Sequence, residues 1–598
     1  MKRIIQTEEV PIAFNDTKLT AVYKGKGSRL DLNMMRFIHG RDWRSRLCDK
    51  IVTEKMKPDI VKACPNIQLG GIPEASSDDH LITMKQIMKN KEERKEGLIV
   101  NTYDMKKFFD KESLMDAAFT LNKVAKVDDQ SYRLWCKMNE DTRISVKTSV
   151  GLSRSENVKD SLGQGSMGAA LVSTLNIGYA VQETFKEPST EIGDLKLNSL
   201  VFQDDICKLS NELPEAREGC KKIDEMLKKK LLSVNYDKSK YLVLGNTKYK
   251  NKIELETALN PLTMGGEIIK RTEKELYLGD YIHEDGCEAS IAETIKRRTT
   301  SLISKCDEII QISESSIMAG LGTSTTAFKL YEAIIIPSLL HNAASWIGIT
   351  ENNIKELQNF QNQFIRKVMR LPRSTPIAIL EWDTQLMNMK CRIWRMKILK
   401  LQRLKKKDNN YITKLAIEQE RVMGFKGLHH EGSVACEELG LPDLLEMNIS
   451  KQQIKHLCME KSRNECKQKM LEGKKVRDRI DEESDKSYFE YMTLQDSRIW
   501  IRIRSRMIKG VKYNNKGSFK NSLNCRFCSD DIHETQEHLQ ECRGTWYERR
   551  NLSIEDPNNW KDLIRFWRRM NLKIAAVTKD GTLTRGLGSD RNVLPTQS

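Results

Sequence analysis

No run of about 18 consecutive apolar residues occurs in the chain, so a membrane-spanning helix is not expected. The opening residues, MKRIIQTEEVPIAFND, put acids where a secretory leader needs an apolar core, so no leader is expected either. No internal repeat is evident. Acidic residues are in deficit: 83 Asp and Glu face 100 Lys and Arg, a net charge of +17. Most of the imbalance lies between Lys390 and Asn524, where 31 basic residues face 18 acidic ones. Such an excess favours a polyanionic partner, nucleic acid first and an anionic membrane surface second. A solvated, Lys-rich helical surface is the plainer alternative. The fourteen cysteines stand mostly alone in apolar contexts. That pattern fits buried thiols of a reducing compartment, not disulfides. An intracellular protein is expected, with the nucleus slightly favoured over the cytoplasm; nothing in the sequence sets an oligomeric state.

What is present suffices for several cores. The 598 residues are 39% hydrophobic and 31% charged, which predicts two to four domains. Residues 17–40 predict a strand, a Gly-rich basic turn and a second strand. Helical patterns cover 42–63 and 78–95, the second capped from Ser76, Ser77 or Asp78. EGLIVNTYD is an apolar strand running into a turn, 111–125 a helix, and RISVKTSVGLS a strand. GSMGAALVSTLNIGYAVQETF is a long apolar helix after a Gly-rich start. A strand at 199–209 and an amphipathic helix at 214–232 follow, then short strands in YLVLGN and LYLGDYIHEDG. Strands and helices mix without regular alternation, which predicts an α+β fold. Residues 290–420 are nearly all helical in pattern, with breaks at Pro337, Pro372 and Pro376. GFKGLHHEG, 424–432, predicts a linker or loop, and RIWIRIRSRM fits a strand or a basic helix. The tail from Thr578 is rich in Gly, Ser and Thr and is expected to be disordered.

Within SLVFQDDICKLS, 199–210, Asp204 and Asp205 sit inside an apolar run. Desolvating a carboxylate is costly unless it is paired or bound to a metal. Asp104 ends the hydrophobic strand a hundred residues earlier, and Asp110 follows it. Carboxylates at strand ends suit Mg²⁺, a hard ion that takes few protein oxygens and completes its shell with substrate phosphates. Two such ions about 4 Å apart can activate a 3′-hydroxyl and stabilise a leaving pyrophosphate. A tight hairpin would bring the aspartate pair to the surface of a cleft. Alone, the pair fits solvated turn carboxylates equally well.

The order of the flanking segments resembles the reverse transcriptases of non-LTR retrotransposons. Asp104-Met105-Lys106-Lys107-Phe108-Phe109-Asp110 is similar to that family's first palm motif, D-x-x-K-A-F-D, with Phe108 where Ala is usual. Gln164-Gly165-Ser166-Met167 is similar to the Q-G motif behind the template and incoming base pair. Phe202-Gln203-Asp204-Asp205 matches Y/F-x-D-D, with Gln203 replacing the commoner Ala. Asn235-Tyr236-Asp237-Lys238-Ser239 resembles the N-x-x-K-S/T element, and Leu276-Tyr277-Leu278-Gly279 the primer-grip region. Tyr23–Arg29 and Asn33–Ile38 resemble the fingers segment Y-K-K-G…N-x-R-P-I, with Phe37 in place of Pro. TAFKLYEAIIIPSLLHNAASWIG and LPRSTPIAIL resemble stretches of the thumb. The resemblance runs from the start to about residue 545.

The resemblance implies a right-hand polymerase: fingers 1–100, palm 101–290 with an antiparallel sheet, helical thumb and extension 291–420, basic helical connector 421–520, zinc knuckle 521–545, and C-terminal helix and tail 546–598. It implies an RNA-directed DNA polymerase that adds dNTPs to a DNA 3′-end on an RNA template. Its partners would be the RNA template, a DNA primer or target DNA, and dNTPs, with no membrane. Asp104, Asp204 and Asp205 would hold two catalytic Mg²⁺. Lys238 would approach the pyrophosphate as a charge or general acid, or else be a surface lysine. Phe109 would exclude a ribose 2′-hydroxyl, or else pack in the core. Gln164 and Gly165 would back the template. Lys24 and Arg36 would hold the triphosphate, or else template phosphates. The alternative is a catalytically inactive, nucleic-acid-binding remnant, which Phe108, Gln203 and the altered fingers favour and the three intact aspartates oppose. An intron-encoded maturase is a third idea.

A late group, CRFCSDDIHETQEHLQEC, holds Cys525, Cys528, His538 and Cys542 in a C-x2-C-x9-H-x3-C spacing. Three thiolates and one imidazole suit one closed, structural Zn²⁺ site. His533 is a rival fourth ligand. The segment resembles the knuckle found downstream of such reverse transcriptases, and it counts against a maturase. The endonuclease that accompanies these polymerases is not expected within this sequence, nor is self-sufficient nicking activity; a fragment of a longer element and a truncated copy both fit that reading.

Overall fold

The structure is a computed structural model that describes residues 2–25, 27–106, 108–148, 150–158, 162, 166–318, 325–442, 449–472, 492–508, 511, 524–528, 530–554 and 560–579. Gln164, Gly165 and nearly all of the expected disordered tail lie outside the described residues, as do the side chains of Phe109 and Asp110. The architecture is mixed α+β. The chain forms two units, each discontinuous in sequence. One comprises Met1–Thr294, His341–Thr350 and Met396–Asn448; the other comprises Ile295–Leu340, Glu351–Arg395 and Ile449–Ser598.

The first unit contains strands β1 (Asp16–Tyr23), β2 (Met35–Arg41), β3 (Leu98–Tyr103), β4 (Thr142–Thr148), β5 (Glu156–Val158), β6 (Ser199–Phe202), β7 (Asp205–Ser210), β8 (Lys240–Leu244), β9 (Lys270–Arg271), β10 (Lys274–Tyr277) and β11 (Asp280–His283). One sheet is built on β2-β1-β4, with β1 and β2 antiparallel and β1 and β4 parallel; β5 also pairs with β4. The central sheet has the order β9-β8-β3-β7-β6 and is antiparallel except at its β9 edge. β10 and β11 form a separate hairpin.

β3 is buried along its whole length because helices cover both faces of the central sheet. Side chains alternate between faces. Leu98 and Val100 pack with Leu81, Met84 and Ile87 of helix Ser77–Arg94. Ile99 and Tyr103 pack with Ile177 and Val181 of helix Ala169–Thr184 and with Ile223 of helix Leu213–Lys229. Each buried aliphatic side chain contributes about 1.5–3 kcal/mol. Ser76 caps Ser77–Arg94: the Asp79 carboxylate accepts from the Ser76 N–H at 2.9 Å and its hydroxyl at 2.8 Å.

Four expectations need correction. The single strand expected at 199–209 is two, β6 and β7, folded back on each other by a turn at Gln203 and Asp204. Only 424–427 of the expected 424–432 loop is a turn; Leu428–Glu438 is a helix. Its start is held by the Glu420 carboxylate, which accepts from the N–H groups of Gly427, His429 and His430. Pro337 does not break the helical run. A widened turn at Tyr331–Ile335 precedes helix Ile336–Leu339, and Pro337 sits in that helix's first turn, where a missing N–H costs little. The expected helix 111–125 is split, with Leu114–Phe119 followed by a π turn at Thr120–Val124.

The second unit is helical among the described residues, with helices that include Glu351–Met369, Lys451–Glu472, Leu494–Arg504 and Trp560–Lys579. The alternating Ile and Arg of RIWIRIR therefore belong to a helix. Its C-terminal core joins Ile503, Ile508, Leu539, Ile564, Phe566 and Trp567 to Cys525 and Cys542. All fourteen cysteines are free of disulfides. No described helix is long and apolar enough to cross a membrane.

Candidate active site and metal centre

β6 and β7 form a hairpin in which Phe202 lies opposite Asp205, leaving Gln203 and Asp204 as a two-residue turn. Gln203 takes a positive φ of 55°. Hairpin turns favour that conformation because it matches the strand twist, but Gly is its usual occupant. β7 pairs with β3 so that Ile206 faces Tyr103. Continuing that register by one residue sets Asp205 against Asp104. Three carboxylates from two neighbouring strands thus converge at one end of the central sheet.

Their electrostatics are unbalanced. Burial pushes Asp204 above the usual carboxylate range, and the charge of Asp104 adds to it. Burial pushes Asp205 up to about 7, with the charges of Asp204 and Asp104 contributing next. Lys238 offsets only part of this. Half-buried oxygen donors that repel one another fit a hard divalent cation, which would neutralise them together.

The segment 233–239 wraps Asp104. The Asn235 N–H donates to the Asp104 carbonyl at 2.7 Å, and the Asn235 Nδ2 to Asp104 Oδ2 at 3.1 Å. The Asp104 N–H donates to the Ser239 hydroxyl at 3.2 Å. Lys238 Nζ lies 2.9 Å from Asp104 Oδ2. Asn235 and Ser239 are site residues to which sequence reasoning gave no role, although their spacing around Lys238 was visible. Behind the hairpin, the Phe202 ring meets His80 edge-on at 6.2 Å, and His80 Nε2 lies 3.1 Å from the Tyr277 hydroxyl. Burial lowers His80 to about 3, so it is a neutral packing group.

Lys24 and Arg36 both lie on the β1–β2 hairpin, exposed; Lys24 Nζ donates to the Asn33 carbonyl at 2.8 Å. Neither bonds to the three aspartates. Phe109 belongs to the short helix Phe108–Lys111 that follows Asp104, where Phe108 is buried.

Cys525, Cys528, His538 and Cys542 bring their ligand atoms within 4.8 Å of one another. Sγ of Cys525 and Cys542 are 3.7 Å apart, and Cys528 Sγ is 3.4 Å from His538 Nε2. Tetrahedral zinc with Zn–S bonds of about 2.3 Å spaces sulfur ligands about 3.8 Å apart. The cluster therefore fits one closed zinc site. His533 is not part of it; its backbone bridges Asn524 instead. Thr535 caps the short helix Gln536–Glu541 by accepting from the His538 N–H at 3.0 Å, which fixes that ligand. A buried pair, Arg526 and Glu534, ties the two halves of the knuckle together.

The chain matches no known family profile. No curated protein matches it in sequence. Among solved structures it bears a distant similarity to telomerases. Apo telomerase from Candida tropicalis, truncated from its C-terminal domain, is 13% identical over 46% of this chain and 54% of that one, with a TM-score of 0.34. Telomerase from Candida albicans with a TWJ fragment of telomeric RNA is 12% identical over 63% of this chain and 66% of that one, with a TM-score of 0.37. The chain spans little more than half the length of the first of these.

Proposed function

We propose that the chain is an RNA-directed DNA polymerase of the non-LTR retrotransposon kind, with the right-hand arrangement of fingers, palm and thumb. The observation that carries this reading is the convergence of Asp104, Asp204 and Asp205 at one end of the central sheet, where Lys238 offsets only part of their mutual repulsion. Two Mg²⁺ held by these carboxylates would activate a primer 3′-hydroxyl and neutralise the departing pyrophosphate. The chain's own residues do the positioning. Asn235 and Ser239 fix Asp104 from both sides of its backbone. Lys238, 57% exposed on a long stem, can swing from Asp104 to the pyrophosphate once cations replace it. Lys24 and Arg36 reach the triphosphate from the fingers, Phe109 gates the sugar, and Gln164 with Gly165 backs the template. The Cys525–Cys542 cluster holds a structural zinc and keeps no open position for chemistry.

Primer extension tests the reading. Oligo(dT) on poly(rA) with dTTP and Mg²⁺ should be extended by the wild-type chain and not by Asp204→Asn. RNA binding that weakens with salt, with no extension by either protein, would leave only the binding remnant.

A further inference from the structure

The turn that carries Asp204 is held by a residue 135 positions away. Gln68 is fully buried. Its side-chain oxygen accepts from the N–H groups of Gln203 and Gly70, both at 2.9 Å. Its side-chain nitrogen donates to the carbonyls of Gln203 at 3.2 Å and Thr174 at 3.3 Å. One carboxamide thus engages both backbone polar groups of the turn residue with positive φ. Two lone pairs and two N–H groups in one plane are what this needs, and only a carboxamide supplies them.

The surroundings are built for this contact. The Val201 N–H donates to the Ile67 carbonyl at 2.8 Å, and the Leu69 N–H to the Val201 carbonyl at 2.9 Å, so 67–69 runs along β6. A Cβ on Gly70 would lie 2.2 Å from the Gln203 nitrogen, and one on Gly178 would lie 3.0 Å from the Gln68 Cβ. Both glycines let the chain come this close. A left-handed, non-Gly residue is unfavourable unless its surroundings hold it there.

We infer that Gln68 is the positioning residue of the Asp204–Asp205 turn: its carboxamide holds Gln203 in the left-handed conformation that brings both carboxylates to the cation site. The catalytic consequence rests on the polymerase reading; the clamp rests on the hydrogen bonds alone.

The test compares wild type, Asp204→Asn, Gln68→Met, Gln68→Glu, and Gln68→Met combined with Gln203→Gly. Mn²⁺ binding is titrated by its free-ion spin signal, and primer extension gives kcat and KM. Gln68→Met should weaken the Asp204-dependent Mn²⁺ site by about 10- to 100-fold and lower kcat by a similar factor. KM for primer–template should not change. Gln203→Gly should recover most of the loss, because Gly takes the positive φ without a clamp. If Gln68→Met does not fold, Gln68→Glu, which keeps the acceptor and loses the donor, carries the same comparison. Lower thermal stability with unchanged Mn²⁺ affinity, or no rescue by Gln203→Gly, would overturn the clamp. Wild type that binds Mn²⁺ through Asp204 but extends no primer would overturn the polymerase and leave the clamp to be decided by Mn²⁺ affinity. Wild type without an Asp204-dependent site would overturn both.

Discussion

Charge and burial compete most sharply at single carboxyls. Glu112 is buried, bonded to the Ser173 hydroxyl and, at 2.9 Å, to Asn176 Nδ2. Burial pushes it from 4.5 up to about 7, against the pull of these bonds. Between those values the unfolded chain releases a proton that the folded chain keeps, so Glu112's contribution to stability is lost as pH rises through about 7. Glu112→Gln should therefore raise the melting temperature at pH 8 by about 2–4 °C, with the gain shrinking towards pH 5, in a calorimetric pH series. Gly70 acts through space instead of charge. Gly70→Ala forces the hairpin and its neighbour apart, and a misplacement of about 1 Å can cost about 100-fold in rate. Primer extension should show that loss in kcat while the protein stays soluble. The three aspartates were legible because two carboxylates in an apolar run demand a reason. Gln68 was not, because a lone Gln in NIQLGG carries no periodicity, and its value appears only when the chain brings it to the turn.

Among elements, hydrophobic period was a better guide than composition. The central strands and the helices at 43–63, 77–94 and 213–229 follow their apolar patterns closely. LHHEGSVACEE misled because Gly and His suggest a loop, while the carboxylate that starts the helix comes from Glu420, outside the segment. The short helix Gln536–Glu541 is coupled to metal binding in a similar way. Thr535→Ala removes its cap, which should cost about 1 kcal/mol and loosen His538. Zinc affinity, read by competition with a chromophoric chelator, should fall while the melting of the first unit stays unchanged. Stripping the zinc itself should act more strongly. The Cys525 thiol, pushed up to about 12 by burial, regains its proton when metal leaves. Amide exchange across 525–549 should then rise by an order of magnitude or more. Cys528→Ser should lose about one zinc per chain by elemental analysis.

The net charge of +17 belongs to the whole molecule. If it serves nucleic acid, affinity for single-stranded RNA should fall steeply with salt, by about 1000-fold between 50 and 200 mM for six or more phosphate contacts. A flat salt profile by filter binding would assign the charge to a solvated surface. The two units carry a separate consequence, because the chain passes between them five times. The first unit is not complete until residue 448 has been made. At about 5–20 residues per second, synthesis from Ile295 to Asn448 occupies roughly ten to thirty seconds. Until that interval ends the first 294 residues wait on the ribosome without the complete last segment, Met396–Asn448, of their unit. Helix Ser77–Arg94, which meets Thr413 and Glu420 through Thr83 and Gln86, then exposes a face that only later residues cover. The nascent chain therefore carries an uncovered apolar face before its first unit can close, and slowing translation between residues 294 and 448 should lengthen that exposure and raise aggregation of the nascent chain.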